Sequence, residues 1–260
     1  MGAEAPPYPE GRNLLKGKTV LITAAAGTGI GFATAKRCAE EGARVMISDI
    51  HERRLGQAVE ALTPILGHTP PSQICNVTDQ GQVDGLLAAA VAELGHVDVL
   101  INNAGLGGTA TVAEMTDDQW SRVIDVSLTG TFRMMRAALN LMLPRSAGVI
   151  VNNASVLGWR AQAGQAHYAA AKAGLMALTR CAAVEVARSG IRINGVAPSL
   201  AMHPYLSKVT TEELLDELKE REAFGRAAEP WEIANVIAFL ASDYSSYMTG
   251  ETISVSSQRA

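Results

Sequence analysis

Short β-branched runs alternate with longer helical stretches along almost the whole chain, and few folds accommodate that rhythm. Thr19-Val20-Leu21-Ile22 is the first run, followed by Arg44 to Ser48, Val97 to Ile101, Gly148 to Val151, Ile191 to Asn194 and Thr252 to Val255. Between the first two, the pattern predicts a helix from about Ile30 to Glu41, and helical periodicity resumes at Glu52. Near-continuous apolar strands have no polar face to offer water, so both faces of their sheet must be covered. Helix-length connections supply that cover and make the strands parallel. The expected fold class is α/β: a single-domain, doubly wound Rossmann-type sheet, whose ligands bind outside the carboxyl ends of the strands. A chain of 260 residues is long enough to bury one large core.

No linker, internal repeat or low-complexity tract interrupts this order. Residues 1–12, with Pro6, Pro7 and Pro9, read as a flexible lead-in, and residues 13–260 as the domain. The irregular stretch runs from Pro198 to Ala228. A long excursion at the carboxyl end of a strand suits a substrate lid, placed here at about 199–228. Within it, Thr210 or Thr211 is a candidate N-cap for a short amphipathic helix.

A net charge of -4 gives no general electrostatic reason to bind nucleic acid or an anionic membrane. No apolar run reaches the roughly 18 residues of a membrane span. The first ten residues lack the basic and apolar regions of a secretory signal. Pro6 stands where a myristoylation motif built on Gly2 needs Ser or Thr. Cys38, Cys75 and Cys181 form neither a disulfide nor a metal pattern; they are expected to be buried thiols of a cytoplasmic protein without a metal. The expected partner is a small-molecule substrate.

Thr23-Ala24-Ala25-Ala26-Gly27-Thr28-Gly29-Ile30-Gly31 lies directly between the first strand and its helix. Glycines let such a turn bring amide N–H groups against a pyrophosphate, and the helix N-terminus adds partial positive charge. Asp49 follows the second strand, where a carboxylate can accept from an adenosine ribose and would repel a 2′-phosphate. NAD is therefore favoured. Arg53 and Arg54 keep NADP as an alternative, since a guanidinium accommodates a phosphate.

Tyr168 and Lys172 are four residues apart on an alanine-rich helix, so the phenol and the ammonium share one face. A nearby cation stabilises a phenolate, and the expectation is a lowered tyrosine pKa suited to proton transfer during hydride exchange. Ser155 ends the strand at Val149 to Asn153, where its hydroxyl can hold a substrate oxygen beside Tyr168. The segment joining Ser155 to Tyr168 must border the reacting carbon. In it, Trp159 can supply a flat apolar wall and Arg160 a rim charge.

These motifs together resemble the short-chain dehydrogenase/reductase family from about Gly17 to Ser257. The resemblance rests on the turn ending Gly29-Ile30-Gly31, Asn102-Asn103-Ala104-Gly105, Ser155, and Tyr168 with Lys172. It implies a seven-stranded parallel sheet, commonly in a homotetramer. It implies cofactor contacts at Ala25, Thr28, Gly29, Ile30, Asp49, Asn76, Val77, Asn103, Ala104, Gly105 and Pro198, besides Tyr168 and Lys172. Ser155 would orient the substrate, Tyr168 would be the acid/base, and Lys172 would bind the nicotinamide ribose and tune the phenol. Several positions depart from the family pattern. Ala25 falls where the first glycine of the turn belongs, and Asn76 where an aspartate commonly sits. Ser127 stands in place of a catalytic-site asparagine that helps hold a water chain from the lysine. Ser199 replaces a glycine after Pro198, and His203 takes the approximate place of a threonine.

The turn, the Asn153–Gln162 segment and the Glu222–Trp231 segment also look like an actinobacterial subgroup often labelled 3-oxoacyl-ACP reductases. That likeness implies a hydroxyacyl-CoA or cyclic hydroxy-carboxyl-CoA ester as substrate, such as an intermediate of steroid C/D-ring breakdown. Two other functions remain open at this point: an NADPH-dependent 3-oxoacyl-ACP reductase of fatty-acid synthesis, and a non-catalytic NAD-sensing regulator.

Overall fold

The computed structural model describes residues 3–202 and 212–257, the side chains of 212–214 excepted. The structure forms one sheet of seven parallel strands, ordered β3-β2-β1-β4-β5-β6-β7. These are β1 (Thr19–Ile22), β2 (Arg44–Asp49), β3 (Ser72–Ile74), β4 (Val99–Asn102), β5 (Gly148–Asn153), β6 (Ile191–Pro198) and β7 (Thr252–Val255). The helices are α1 (Ile30–Glu40), α2 (Glu52–Leu66), α3 (Gln80–Leu94), α4 (Asp117–Ile124), α5 (Gly130–Met142), α6 (Ala166–Val186), α7 (Glu212–Arg221) and α8 (Pro230–Ala241).

Alternation along each strand divides the core between the two faces of the sheet. Val20, Ile22, Val45, Ile47, Val99 and Ile101 face the layer that contains Ile233, Ile237 and Leu240 of α8. Leu21, Met46, Leu100 and Ile150 face the opposite layer, with Val83 and Leu86 of α3 and Met134 and Met135 of α5. Strand order reverses between β1 and β4, so a crevice opens at the carboxyl ends of those two strands.

Most strands match the sequence expectation to within two residues, and two depart further. β3 has no apolar run because it is a three-residue edge strand, paired on one side and largely exposed. β6 continues to Pro198, beyond the apolar stretch, because it pairs with β5 and then with β7. The extension carries the chain to the edge where the 199–228 excursion begins.

The helix between β4 and β5 is interrupted by a π-helical turn at Asp125–Thr129. It is flanked by α4, whose N-terminus is closed by a capping box of Thr116 and Gln119. Near the chain start, the Ala3 N–H donates to the Phe224 carbonyl (2.7 Å), and the Tyr8 ring meets Trp231 edge-on at 5.4 Å. Arg37 donates to the Pro9 carbonyl (2.7 Å), while Glu41 accepts from the Arg12 and Leu14 amides (2.7 and 3.0 Å). Cys38 and Cys75 are buried, and burial pushes their thiols up to about 12 and about 11. Cys181 is exposed, against expectation, because it falls on the solvent face of α6. No helix among the described residues is long and apolar enough to cross a membrane.

Candidate active site

The turn between β1 and α1 forms a cavity of roughly 250 Å³, lined by Ala24, Ala26, Thr28, Gly29, Ile30, Gly31 and Asn103. Ala25 does not line it. Its side chain is fully buried and its N–H donates to the Ser48 carbonyl (3.0 Å). Ala24 and Ala26 face the space instead, a placement the spacing of glycines did not reveal. A Cβ at Gly31 would stand 2.2 Å from the Ala24 carbonyl oxygen and 2.5 Å from Asn103 Nδ2, so only glycine permits this close approach. The α1 N-terminus has no side-chain cap, which leaves its amides directed at the crevice.

Asp49 closes one side of the turn. Its Oδ2 accepts from the Ala26 N–H (3.1 Å) and its Oδ1 from the His51 N–H (3.0 Å). Burial raises its pKa, opposed by the Ala26 hydrogen bond and by the Arg54 charge. Asn76 uses its side-chain oxygen to hold its own turn, accepting from the Thr78 N–H (3.1 Å) and hydroxyl (2.9 Å). Val77 is buried, and a Cβ at Gly130 would approach its Cγ2 at 2.7 Å.

An asparagine chain connects this turn to the lysine. Asn103 Nδ2 donates to the Ala24 carbonyl (2.9 Å), and Asn103 Oδ1 accepts from Asn153 Nδ2 (2.8 Å). The Asn153 carbonyl then accepts from Lys172 Nζ (2.6 Å). Thr23 supports the same corner, its hydroxyl accepting from the Asn103 and Ala104 amides (3.0 and 3.3 Å). Parallel to this runs a second buried polar row, in which Asn102 donates to Asn152 and Asn152 to Thr179, each at 2.9 Å. Sequence spacing pointed to Asn103 but not to Asn153 or Asn152, whose roles arise from strand adjacency.

Tyr168 lies in the first turn of α6, with Lys172 one turn further on. The Ser155 side chain lies beside the Tyr168 phenol, and its hydroxyl accepts from the Leu157 N–H (3.2 Å). Lys172 Nζ is 5.5 Å from the Tyr168 ring centroid. Burial lowers the lysine pKa to about 8. Burial likewise raises the phenol pKa, opposed by the Ser155 hydrogen bond. This differs from the expected lowering, because desolvation of the phenol dominates in the protein alone.

Ser127 is fully buried in the π-helical turn. Its hydroxyl donates to the Leu106 carbonyl (3.0 Å) and accepts from the Leu106 N–H (2.9 Å), clasping the loop after β4. A Cβ on the adjacent Gly105 would stand 3.4 Å from Lys172 Nζ and 3.8 Å from Ser127 Oγ. The serine thus faces the lysine neighbourhood with its proton already committed to backbone. The same loop is fastened to the start of α6: Gln165 Nε2 donates to the Gly108 carbonyl (2.9 Å), and the Ala110 N–H to the Gly164 carbonyl (3.1 Å). Pro198 is buried at the end of β6. Trp159 is half exposed and Arg160 exposed at the rim. His203 and the caps considered at Thr210 and Thr211 lie outside the described residues.

A parallel sheet with a glycine cradle at its switch point, an acid at the end of β2 and a Ser–Tyr–Lys cluster defines a class. The chain belongs to the short-chain dehydrogenase/reductase family, the nicotinamide-dependent oxidoreductases. The matching family model, described as enoyl-(acyl carrier protein) reductase, spans residues 24–257. The chain is 60% identical over 255 residues to a (5R,7aS)-5-hydroxy-7a-methyl-1-oxo-2,3,5,6,7,7a-hexahydro-1H-indene-carboxyl-CoA reductase of Mycobacterium tuberculosis, covering 98% of this chain and 97% of that one. It is 40% identical to a cis-4-hydroxycyclohexanecarboxylate dehydrogenase of Sinomonas cyclohexanicum, over 91% of this chain and 94% of the relative. A crystal structure of a short-chain dehydrogenase from Mycobacterium smegmatis superposes with a TM-score of 0.87 at 56% identity, covering 99% of both chains.

Proposed function

We propose that the protein transfers a hydride between NAD(H) and a secondary alcohol or ketone carried on a cyclic carboxyl-CoA ester. The observation that carries this reading is the convergence of the Ser155 hydroxyl, the Tyr168 phenol and the Lys172 ammonium, with Lys172 joined through Asn153 and Asn103 to the glycine turn. The 60% identity to the hydroxy-methyl-oxo-indene-carboxyl-CoA reductase supports the CoA ester, and the cyclohexanecarboxylate dehydrogenase supports a cyclic carbinol.

A nicotinamide cofactor held here would supply or accept the hydride. Around it, Ser155 hydrogen-bonds the substrate oxygen, and Tyr168 gives that oxygen a proton in reduction or takes one in oxidation. Lys172 holds positive charge near the phenol and would donate to the nicotinamide ribose. Ser127 keeps Gly105 against Lys172 by clasping Leu106. Gly29 and Ile30, with Thr28, would present backbone to a pyrophosphate, while Asn76 and Val77 would border the adenine and Ala104, Gly105 and Pro198 would line the path towards nicotinamide. Asp49 would accept from the adenosine ribose and repel a 2′-phosphate, which favours NAD over NADP. The working form is a cytoplasmic homotetramer, which light scattering would check.

The test is a turnover assay with both cofactors against cyclic hydroxy- and oxo-carboxyl-CoA esters, free acids and 3-oxoacyl-ACP. Faster NAD(H) turnover of the cyclic CoA esters is the expected result. A preference for 3-oxoacyl-ACP with NADPH would overturn the substrate, and cofactor binding without any turnover would overturn the chemistry.

A further inference from the structure

In the proposed reaction the Ser155 hydroxyl and the Tyr168 phenol act on one substrate oxygen, so the chain joining them borders the way out of the reacting centre. Residues 156–158 form a single 3₁₀ turn directly after Ser155. The Gly158 N–H donates to the Ser155 carbonyl and the Arg160 N–H to the Val156 carbonyl, each at 2.9 Å. A Cβ at Gly158 would stand 2.7 Å from Met176 Cε and 3.1 Å from the Ala173 nitrogen, so this residue is pressed onto α6. At its far end the segment is fastened through Gly164 and Gln165 to the loop at 108–110. Between these two anchors Trp159 is half exposed and Arg160 exposed.

Lack of partners sets the two side chains apart. Arg133, Arg145 and Arg226 each pair with a carboxylate, at 2.7, 2.8 and 2.7 Å. Arg160 makes no ion pair or side-chain hydrogen bond among the described residues, and the Trp159 ring meets no other ring or cation among them. A guanidinium and an indole face thus stand side by side, uncompleted by the protein, within one turn of the serine that holds the substrate oxygen.

We propose that Trp159 and Arg160 form a subsite for the CoA carrier of the substrate: the Trp159 ring lies along the pantetheine arm, and the Arg160 guanidinium binds a phosphate at the end of that arm. This inference deepens the reading of the protein as a cyclic carboxyl-CoA oxidoreductase and rests on it. A CoA thioester holds its acyl ring at the reacting centre and its phosphates at the other end of a long arm. Those phosphates therefore meet the protein at the rim, away from Tyr168. A planar guanidinium offers a phosphate two parallel N–H donors. With a net charge of -4 the chain has no general attraction for so anionic a carrier, and recognition falls to a local cation with no internal partner. An exposed pair of this kind is modest in strength and weakened by salt.

The experiment uses the full chain as wild type, Arg160→Ala, Arg160→Lys and Trp159→Ala, with NADH and two ketone probes. These are 4-oxocyclohexanecarboxyl-CoA and the matching pantetheine thioester, which keeps the arm but has no phosphate. Arg160→Ala should raise the KM of the CoA ester about fivefold while kcat stays within about twofold, because the lost contact is far from the reacting carbon. With the pantetheine thioester the same variant should differ from wild type by less than about twofold. Arg160→Lys should recover most of the loss, and added salt should narrow the gap between wild type and Arg160→Ala. Trp159→Ala should raise KM about threefold for both thioesters. An unchanged CoA-ester KM in Arg160→Ala, or an equal rise for both thioesters, overturns the phosphate subsite while leaving the enzyme assignment standing. Wild-type turnover of the free oxo acid but of neither thioester would instead bring down the CoA-ester reading, and this inference with it.

Discussion

At the amino end of the sheet, Asp98 is satisfied from every side. It accepts from the Thr19 N–H (3.0 Å) and hydroxyl (3.1 Å), from Arg145 (2.8 Å), and is paired with His96 at 3.1 Å. Burial pushes its pKa up, but hydrogen bonds from Arg145 and Thr19 outweigh that and hold it below the usual carboxylate range. At the carboxyl end, Lys172 is only 3% exposed and has a backbone carbonyl as its protein acceptor. Its pKa falls to about 8, and the nearby phenol rises. One end spends its polar groups on mutual satisfaction, which favours stability. The other holds a buried lysine and a buried phenol whose pKa values are moved mainly by desolvation, the kind of perturbation that collects at functional sites. The difference teaches that burial alone does not mark a functional site; what matters is whether the buried groups already complete one another.

Substitutions at the two ends should therefore separate activity from stability. The largest expected effect is at Tyr168. Tyr168→Phe should lower kcat by roughly 10²- to 10⁴-fold, the range of general acid–base catalysis, with little change in melting temperature. A variant that keeps wild-type kcat would remove the phenol from the mechanism and abolish the contrast.

Next is Asp98→Ala, expected to cost about 2 kcal/mol by stranding charged and neutral donors, while kcat and KM stay as in wild type. Chemical denaturation measures the loss. Because the folded pKa of Asp98 is depressed, its contribution is present above the ordinary carboxylate pKa and fades as pH falls through the lowered folded value. The gap between wild type and Asp98→Ala should therefore narrow in acid.

Asp49→Ser should shift the ratio of NAD(H) to NADP(H) kcat/KM by about tenfold towards NADP(H), by removing the charge that repels a 2′-phosphate. An unchanged ratio would assign the preference elsewhere in the crevice.

The smallest effect is a pH limb. With the lysine pKa at about 8, kcat/KM for ketone reduction should decline above that pH as the ammonium loses its proton. Asp98→Ala should leave this limb untouched, and Lys172→Met should eliminate it. The same burial has a stability consequence of known sign. Between about 8 and 10.5 the unfolded chain retains a proton that the folded one has released, so the site's contribution to stability improves as pH rises.

The relation between sequence and structure differs across the molecule for related reasons. β1 and β7 have the boundaries their apolar runs indicate, and α1 begins at Ile30 as its glycine turn requires. Periodicity and turn chemistry are local properties, legible without knowing what lies alongside. β3 escaped notice because a short exposed edge strand gains its hydrogen bonds from β2 and not from a hydrophobic face of its own. The Tyr168–Lys172 pair was legible because one helix holds both residues.

Sequence by itself determined the parallel α/β class, the position of the glycine turn and the residue types able to move a proton. The tertiary structure alone decided which of those groups meet. It turned Ala25 into the core and left Ala24 and Ala26 facing the crevice. It brought Asn103, Asn153 and Lys172 into one hydrogen-bonded row, and closed Glu222 onto Leu200 and Ser257. The physical reason is range. Propensity and periodicity act within a few residues, whereas burial and hydrogen-bond partnership depend on strands and helices brought together from distant parts of the chain.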